Sequence, residues 1–238
     1  MEMLVSIRVG LYDFFAFTLP GVFYLLIVGY TLTLFQVAPA NYSALNDLSI
    51  SSFIVLVGAG YITGQLVDPI AYRWMRLFFG PNTHQRVWAF NHFQQVHPRL
   101  VPNFEVTDWE ILLQMLKAKH PDVASEVEMH NVASIMLRNI SLGFMILASV
   151  FIAYYLIMAP NIWNLVLATA CLVLSYTGLR QSRMKREWFY TGIFNAVAAS
   201  HLEEATWIAN AGAAENTSIG TASVAFNTNQ EDQNPNAL

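Results

Sequence analysis

The chain has 238 residues, of which 55% are hydrophobic and only 12% charged, with a net charge of −4. That charged fraction is about half of what soluble domains carry, which excludes an ordinary soluble globule and points to a polytopic membrane protein. The acidic balance argues against a nucleic-acid partner, and the single cysteine, Cys171, excludes an internal disulfide framework and a multi-cysteine metal centre.

In chain order, the first apolar run covers residues 14–35 and contains no charge. Its length is enough for the roughly 20 residues that cross a hydrocarbon core of about 30 Å. Pro20 and Gly21 lie inside it, so a kink or local break is expected, as a hinge or as a static packing feature. Ala38, Pro39 and Ala40 follow as a small-residue stretch of the kind that ends a signal peptide. The run is longer than a signal core of about 7–15 residues, and Glu2 and Asp13 accompany Arg8 before it, so it reads as a retained span.

The second run, about 52–67, is shorter and holds Gly58, Gly60, Gly64 and Gln65. Gly60 and Gly64 form a small-residue face for close helix approach, either inside the unit or between protomers. The Gln65 amide needs a partner on another helix, since an unpaired amide in hydrocarbon is costly. Asp68 followed by Pro69 reads as an N-cap and first helical position. The membrane helix is therefore expected to end near Val67, and PIAYRWMRLFF to start an interfacial helix whose Arg73 and Arg76 face lipid phosphates or Asp68.

Residues 68–139 form an insertion with seven basic and seven acidic residues. Trp74, Leu77 and Phe78 fit one helical face, and Val87, Phe90 and Phe93 with Trp88 fit another. Thr107 and Glu110 make a capping box ahead of a helix carrying Leu112, Leu113 and Leu116. From Pro121 no breaker intervenes before the third run, 140–159, so one helix is expected to emerge well clear of the bilayer with Val123, Val127, Val132, Ile135 and Met136 facing protein. Pro160 and Asn161 separate it from the fourth run, 162–179, making a helical hairpin. Trp188, Phe189, Ile193, Val197 and Ala198 continue the fourth helix to about residue 205, and 206–238 reads as a disordered tail.

Basic residues near membrane ends stay cytoplasmic. The connection over 36–51 has none, the 68–139 insertion has seven, the stretch after the fourth run has four, and Arg8 precedes the first run. The expected protein is thus all-α, with four transmembrane helices, both termini cytoplasmic and a cytoplasmic helical layer. Its units are 1–67, 68–139, 140–205 and the tail.

Chemistry-bearing motifs are sparse. Among His84, His92, His97, His120 and His130, only Glu126 with His130 has the spacing that places two metal ligands on one helix face, and no second pair completes a site. No P-loop, GxSxG, HExxH, CxxC or Rossmann glycine pattern occurs, so no cofactor is expected. The stretch RVWAFNH, from Arg86 to His92, resembles the R-x4-6-H motif of HEPN ribonucleases. That resemblance implies an arginine and a histidine acting on an RNA phosphate, usually across a dimer, although Val87 stands where a polar residue is common.

The segments LYDFFAFTLPGVFYL, GYITGQLVDPIAYRW and RMKREWFYTGIFNAV resemble a diffuse group of mostly uncharacterised prokaryotic four-helix membrane proteins, some of which accompany anti-phage systems. The resemblance spans about residues 11–200. It implies a bacterial inner-membrane location and a defence-associated role, and carries over no catalytic residue. The expectation is a non-enzymatic effector or accessory subunit, oligomeric and surrounded by lipid, that couples a cytoplasmic protein partner or signal to membrane packing or permeability. A channel or transporter subunit and a membrane-anchored ribonuclease are the competing readings; the spans offer few polar groups for the former, and the latter rests on Arg86 and His92.

Overall fold

The computed structural model describes residues 2–37, 49–98, 104–158 and 160–199. The expected tail, the last residues of the expected helical extension and the Ala38–Ala40 stretch lie outside the described residues. The described residues form α1 (Glu2–Leu34), α2 (Ile50–Phe79), α3 (Asn82–Val96), a short 3-10 turn (Val106–Asp108), α4 (Trp109–Lys119), α5 (Pro121–Ile157) and α6 (Ile162–Ala199), with no strand among them. Four of these helices, α1, α2, α5 and α6, are long and apolar enough to cross a membrane. At 1.5 Å per residue, α5 with 37 residues and α6 with 38 are each about 55 Å long, well beyond the hydrocarbon thickness.

Contacts set the helix directions. Gly21 of α1 lies on Gly60 of α2, and Phe17 lies on Gly64, so the two helices are antiparallel. Tyr24 and Tyr30 of α1 and Phe35 directly after it meet Asn139, Phe151 and Tyr154 of α5 in the same order, so these helices run parallel. The α5–α6 hairpin is antiparallel, and Asn161 Oδ1 accepts the Trp163 N–H at 3.0 Å where α6 begins. The start of α1 and the end of α6 therefore lie at the same end of the bundle.

Small residues repeat every seventh position along the hairpin seam: Ser134, Ser141 and Ala148 on α5 face Ser182, Ser175 and Ala168 on α6. A seven-residue repeat keeps one seam facing a partner helix in a left-handed supercoil, and small side chains let the backbones approach closely. Ser134 Oγ donates to the Ser182 carbonyl at 2.9 Å and Ser182 Oγ to the Ser134 carbonyl at 2.8 Å. Ser175 Oγ donates to the Ser141 carbonyl at 2.8 Å.

Beyond the seam, α3 and α4 pack on the first turns of α5 and the last third of α6. Their shared core contains Ala89, Phe93, Leu112, Val127, Phe189 and Phe194. Several local expectations are revised here. The capping box sits two residues earlier than expected: Glu105 and Asp108 close it, the Asp108 carboxylate accepting the Glu105 N–H at 2.7 Å. On the last third of α2 the buried residues are Ala71 and Met75, while Leu77 and Phe78 are exposed. On α3 the buried face is Gln85, Ala89 and Phe93, leaving Val87 and Trp88 exposed. Val123 and Trp188 also point outward. In each case the helix was legible and its rotation was not, because two apolar faces compete and only tertiary contacts choose between them.

The largest revision concerns α2, which does not stop at Val67. It runs unbroken through Pro69 to Phe79, where Gly80 at φ 73° ends it and donates its N–H to the Arg76 carbonyl at 3.0 Å. Proline removes a single backbone donor, and here Pro69 lies on the exposed side. Fully buried Ala71 and Met75 on the following turns hold the chain helical. Pro20 likewise lies inside α1 without breaking it.

Candidate functional site

Pro20, Gly21, Gly60, Gly64 and Asp68, singled out from sequence, fall at two adjoining places. At the first, α1 and α2 cross backbone to backbone. A Cβ at Gly21 would overlap the Gly60 carbonyl oxygen, and one at Gly64 would overlap the Phe17 carbonyl oxygen; one at Gly60 would come within 2.6 Å of Val22 Cγ2. Gly60, Gly64 and Gly21 are thus joined inside the chain, next to Pro20, which is buried. Gln65 takes a partner on its own helix instead of a neighbouring one, donating to Tyr61 Oη one turn earlier at 3.3 Å on the exposed face.

The second place lies one to two turns further along α2. Asp68, expected as a helix cap, is an ion-pair partner. Arg138 of α5 donates to its Oδ1 at 2.6 Å, and the arginine residue is only 3% exposed. Arg73 and Arg76 do not take this role; Arg73 is exposed. An aspartate packed beside a buried guanidinium stays in a helix interior because the ion pair replaces the water it would otherwise seek. Beside the pair, buried Tyr24 of α1 donates to the Asn139 carbonyl at 2.7 Å, and Ser182 of α6 lies 3.8 Å from Met75 Sδ of α2. All four long helices therefore meet at this level.

Tyr72 connects the ion pair to a polar cavity. Its ring lies under two guanidiniums, Arg138 at 5.3 Å and Arg76 at 5.8 Å. The cavity, about 390 Å³, is bounded by Arg76 of α2, Arg86 of α3, Glu110 of α4, and Arg186 and Tyr190 of α6. The Nε atoms of Arg86 and Arg186 are buried without a hydrogen-bond partner. The ion pairs among the described residues are Lys117–Glu128, Arg138–Asp68 and Arg183–Glu187, so no carboxylate within ion-pair distance neutralises the cavity's three arginines.

Arg86 and His92 are not brought together. Arg86 bounds the cavity, whereas His92 is exposed and stacks on Trp88 with centroids 5.2 Å apart. His130 packs edge-on against Trp188, and no group of three metal-ligating side chains occurs among the described residues. Sequence reasoning missed Arg138, Arg186 and the serine seam. A signal existed for each: Arg138 stands two residues before an apolar run and offers a cation opposite Asp68, and the serines recur at seven-residue spacing on both arms of a recognised hairpin. No family model matches the chain, and comparison with curated proteins and with solved structures returns no match.

Proposed function

We propose that the chain is a multi-pass protein of a prokaryotic inner membrane, with both termini cytoplasmic, acting as a non-enzymatic effector or accessory subunit in anti-phage defence. Its cytoplasmic helical layer receives a signal or a protein partner, and its four spans, assembled as an oligomer, answer by changing packing or permeability. The supporting observation is continuity: α2, α5 and α6 each pass without a break from an apolar segment into the polar layer. Long helices packed in this way transmit displacement as rigid bodies instead of absorbing it in a loop. The Asp68–Arg138 pair clamps two of them where the apolar segments end.

Two measurements test the reading. Mass determination in detergent should give an oligomer. Liposomes carrying the full chain and a self-quenched dye should stay tight alone and release dye when a cytosolic fraction from phage-challenged host cells is added. A monomer that leaves liposomes tight in both conditions overturns the proposal. Cysteine accessibility in intact cells, with substitutions at 43 and 110 in a Cys171→Ala background, should place 43 outside and 110 inside.

A further inference from the structure

The polar cavity beside Tyr72 has no role in the account so far. We propose that it binds the phosphate group of an anionic ligand. Three guanidiniums, Arg76, Arg86 and Arg186, reach it from three different helices, against one carboxylate, Glu110. The formal charge around the cavity is therefore three minus one, or +2. Glu110 is exposed and makes no ion pair among the described residues, so it belongs to the rim.

Charge alone would mark a solvated surface, but these guanidiniums converge on one concave site with no carboxylate within ion-pair distance among the described residues. The Nε atoms of Arg86 and Arg186 are shut off from water with no acceptor among the described residues. Buried donors without partners are costly, and guanidiniums most of all. Arg186 also lies close enough to Arg138 for their charges to oppose each other. An oxyanion held by the terminal nitrogens of Arg86 and Arg186 offsets that repulsion, since a phosphate supplies several acceptor oxygens and a guanidinium fork matches its geometry.

The volume refines the ligand class. About 390 Å³ falls in the range of small-molecule sites and exceeds what a bare phosphate fills. The ligand is thus a phosphate carrying an organic part, with Tyr72 and Tyr190 available to cover it. Such a group comes either from a soluble nucleotide or from a lipid headgroup, and basic cavities at the cytoplasmic ends of spans bind headgroups. Bound between α2, α3 and α6, it would draw the short helices toward the long ones beside the Asp68–Arg138 pair. That this ligand is the activating signal rests on the coupling reading above; the binding itself does not.

The test uses the full chain, delipidated in a non-ionic detergent and followed by thermal shift and calorimetry. One arm titrates ATP and inorganic phosphate, and the other dioctanoyl phosphatidylglycerol with dioctanoyl phosphatidylcholine as the zwitterionic control. Saturable binding is expected in at least one anionic arm, and which arm responds names the source. Arg86→Gln and Arg186→Gln should each weaken it by about tenfold or more, the loss of a charge-assisted hydrogen bond. Arg76→Gln, on the exposed side, provides the same readout should either buried variant fail to fold. Arg73→Gln, outside the cavity, should leave affinity unchanged. Absence of saturable binding in both arms overturns the proposal, as does an equal loss with Arg73→Gln, which would mark diffuse attraction to a basic surface. Binding that persists while liposomes stay tight leaves the site standing and removes the coupling reading.

Discussion

The two halves of α6 are built in opposite senses. From 162 to 176 its large apolar residues, among them Ile162, Trp163, Val166 and Val173, mostly face outward, while Ala168, Cys171 and Ser175 face the bundle. From 189 to 198 the order reverses: Phe189, Tyr190, Ile193, Phe194 and Val197 are buried. One continuous helix thus packs through small residues along its apolar stretch, and through aromatic side chains beyond its basic cluster. Where the surroundings are as apolar as leucine, burying leucine gains nothing, and close backbone contact is what holds helices together. In water the hydrophobic effect returns and large side chains move inside. The reversal falls across Leu179–Arg186, where the basic residues cluster and the cavity opens.

If that contrast is right, the heaviest damage in the apolar half comes from adding volume at its backbone contacts. Gly64→Leu places side-chain atoms on the Phe17 carbonyl, which no rotamer change relieves. It should cost about 3 kcal/mol, the upper part of the usual overpacking range, read as a lower midpoint in detergent unfolding. A wild-type midpoint would mean that α1 and α2 do not cross there.

Arg138→Met leaves Asp68 without its cation. Complete burial of the orphan would cost about 3–5 kcal/mol, but the Asp68 side chain is 25% exposed, so about 2–3 kcal/mol is expected. Adding Asp68→Leu should recover most of it. Failure of the second change to rescue the first would show that Arg138 acts through another partner.

Ser134→Ala removes one of two reciprocal hydrogen bonds in the α5–α6 seam. Such bonds are worth about 0.6 kcal/mol in membrane proteins, so a small loss is expected; a loss several times larger would mean that the serines, and not close packing, hold the hairpin. Smallest of all, Leu66→Ala on the outward face of α2, where the residue is 71% exposed, should change stability by less than about 0.5 kcal/mol. A large effect there would reveal a protein contact at this exposed position.

The four long apolar helices were legible because lipid imposes a long-range rule on composition: four uncharged runs and a two-residue hairpin connection need no tertiary knowledge. The Gly60–Gly64 face was legible for the same reason. Asp68 was not, because a local signal, Asp before Pro, was overridden by Arg138, seventy residues away in sequence. The cavity was half legible. Arg76 and Arg86 drew notice separately, one as a lipid-facing charge and one within a ribonuclease-like spacing, but only the packing of α3 against α6 places them beside Arg186.

If the two halves form one unit, an event at the α3–α4 end reaches the long apolar helices. Cys171 offers a native reporter, since it is the only cysteine and is buried in the apolar half of the α5–α6 seam. Phe194→Ala deletes a fully buried ring in the polar layer, a change that usually costs about 3–5 kcal/mol. Thiol labelling of Cys171 against temperature, in nanodiscs, should then show its midpoint falling together with that of Trp109 fluorescence, which reports the layer through its contacts with Phe189 and Tyr190, in a chain whose other five tryptophans are replaced by phenylalanine. A Cys171 midpoint that stays at the wild-type value while the layer melts early would contradict the claim and leave two independent halves joined only by covalent chain.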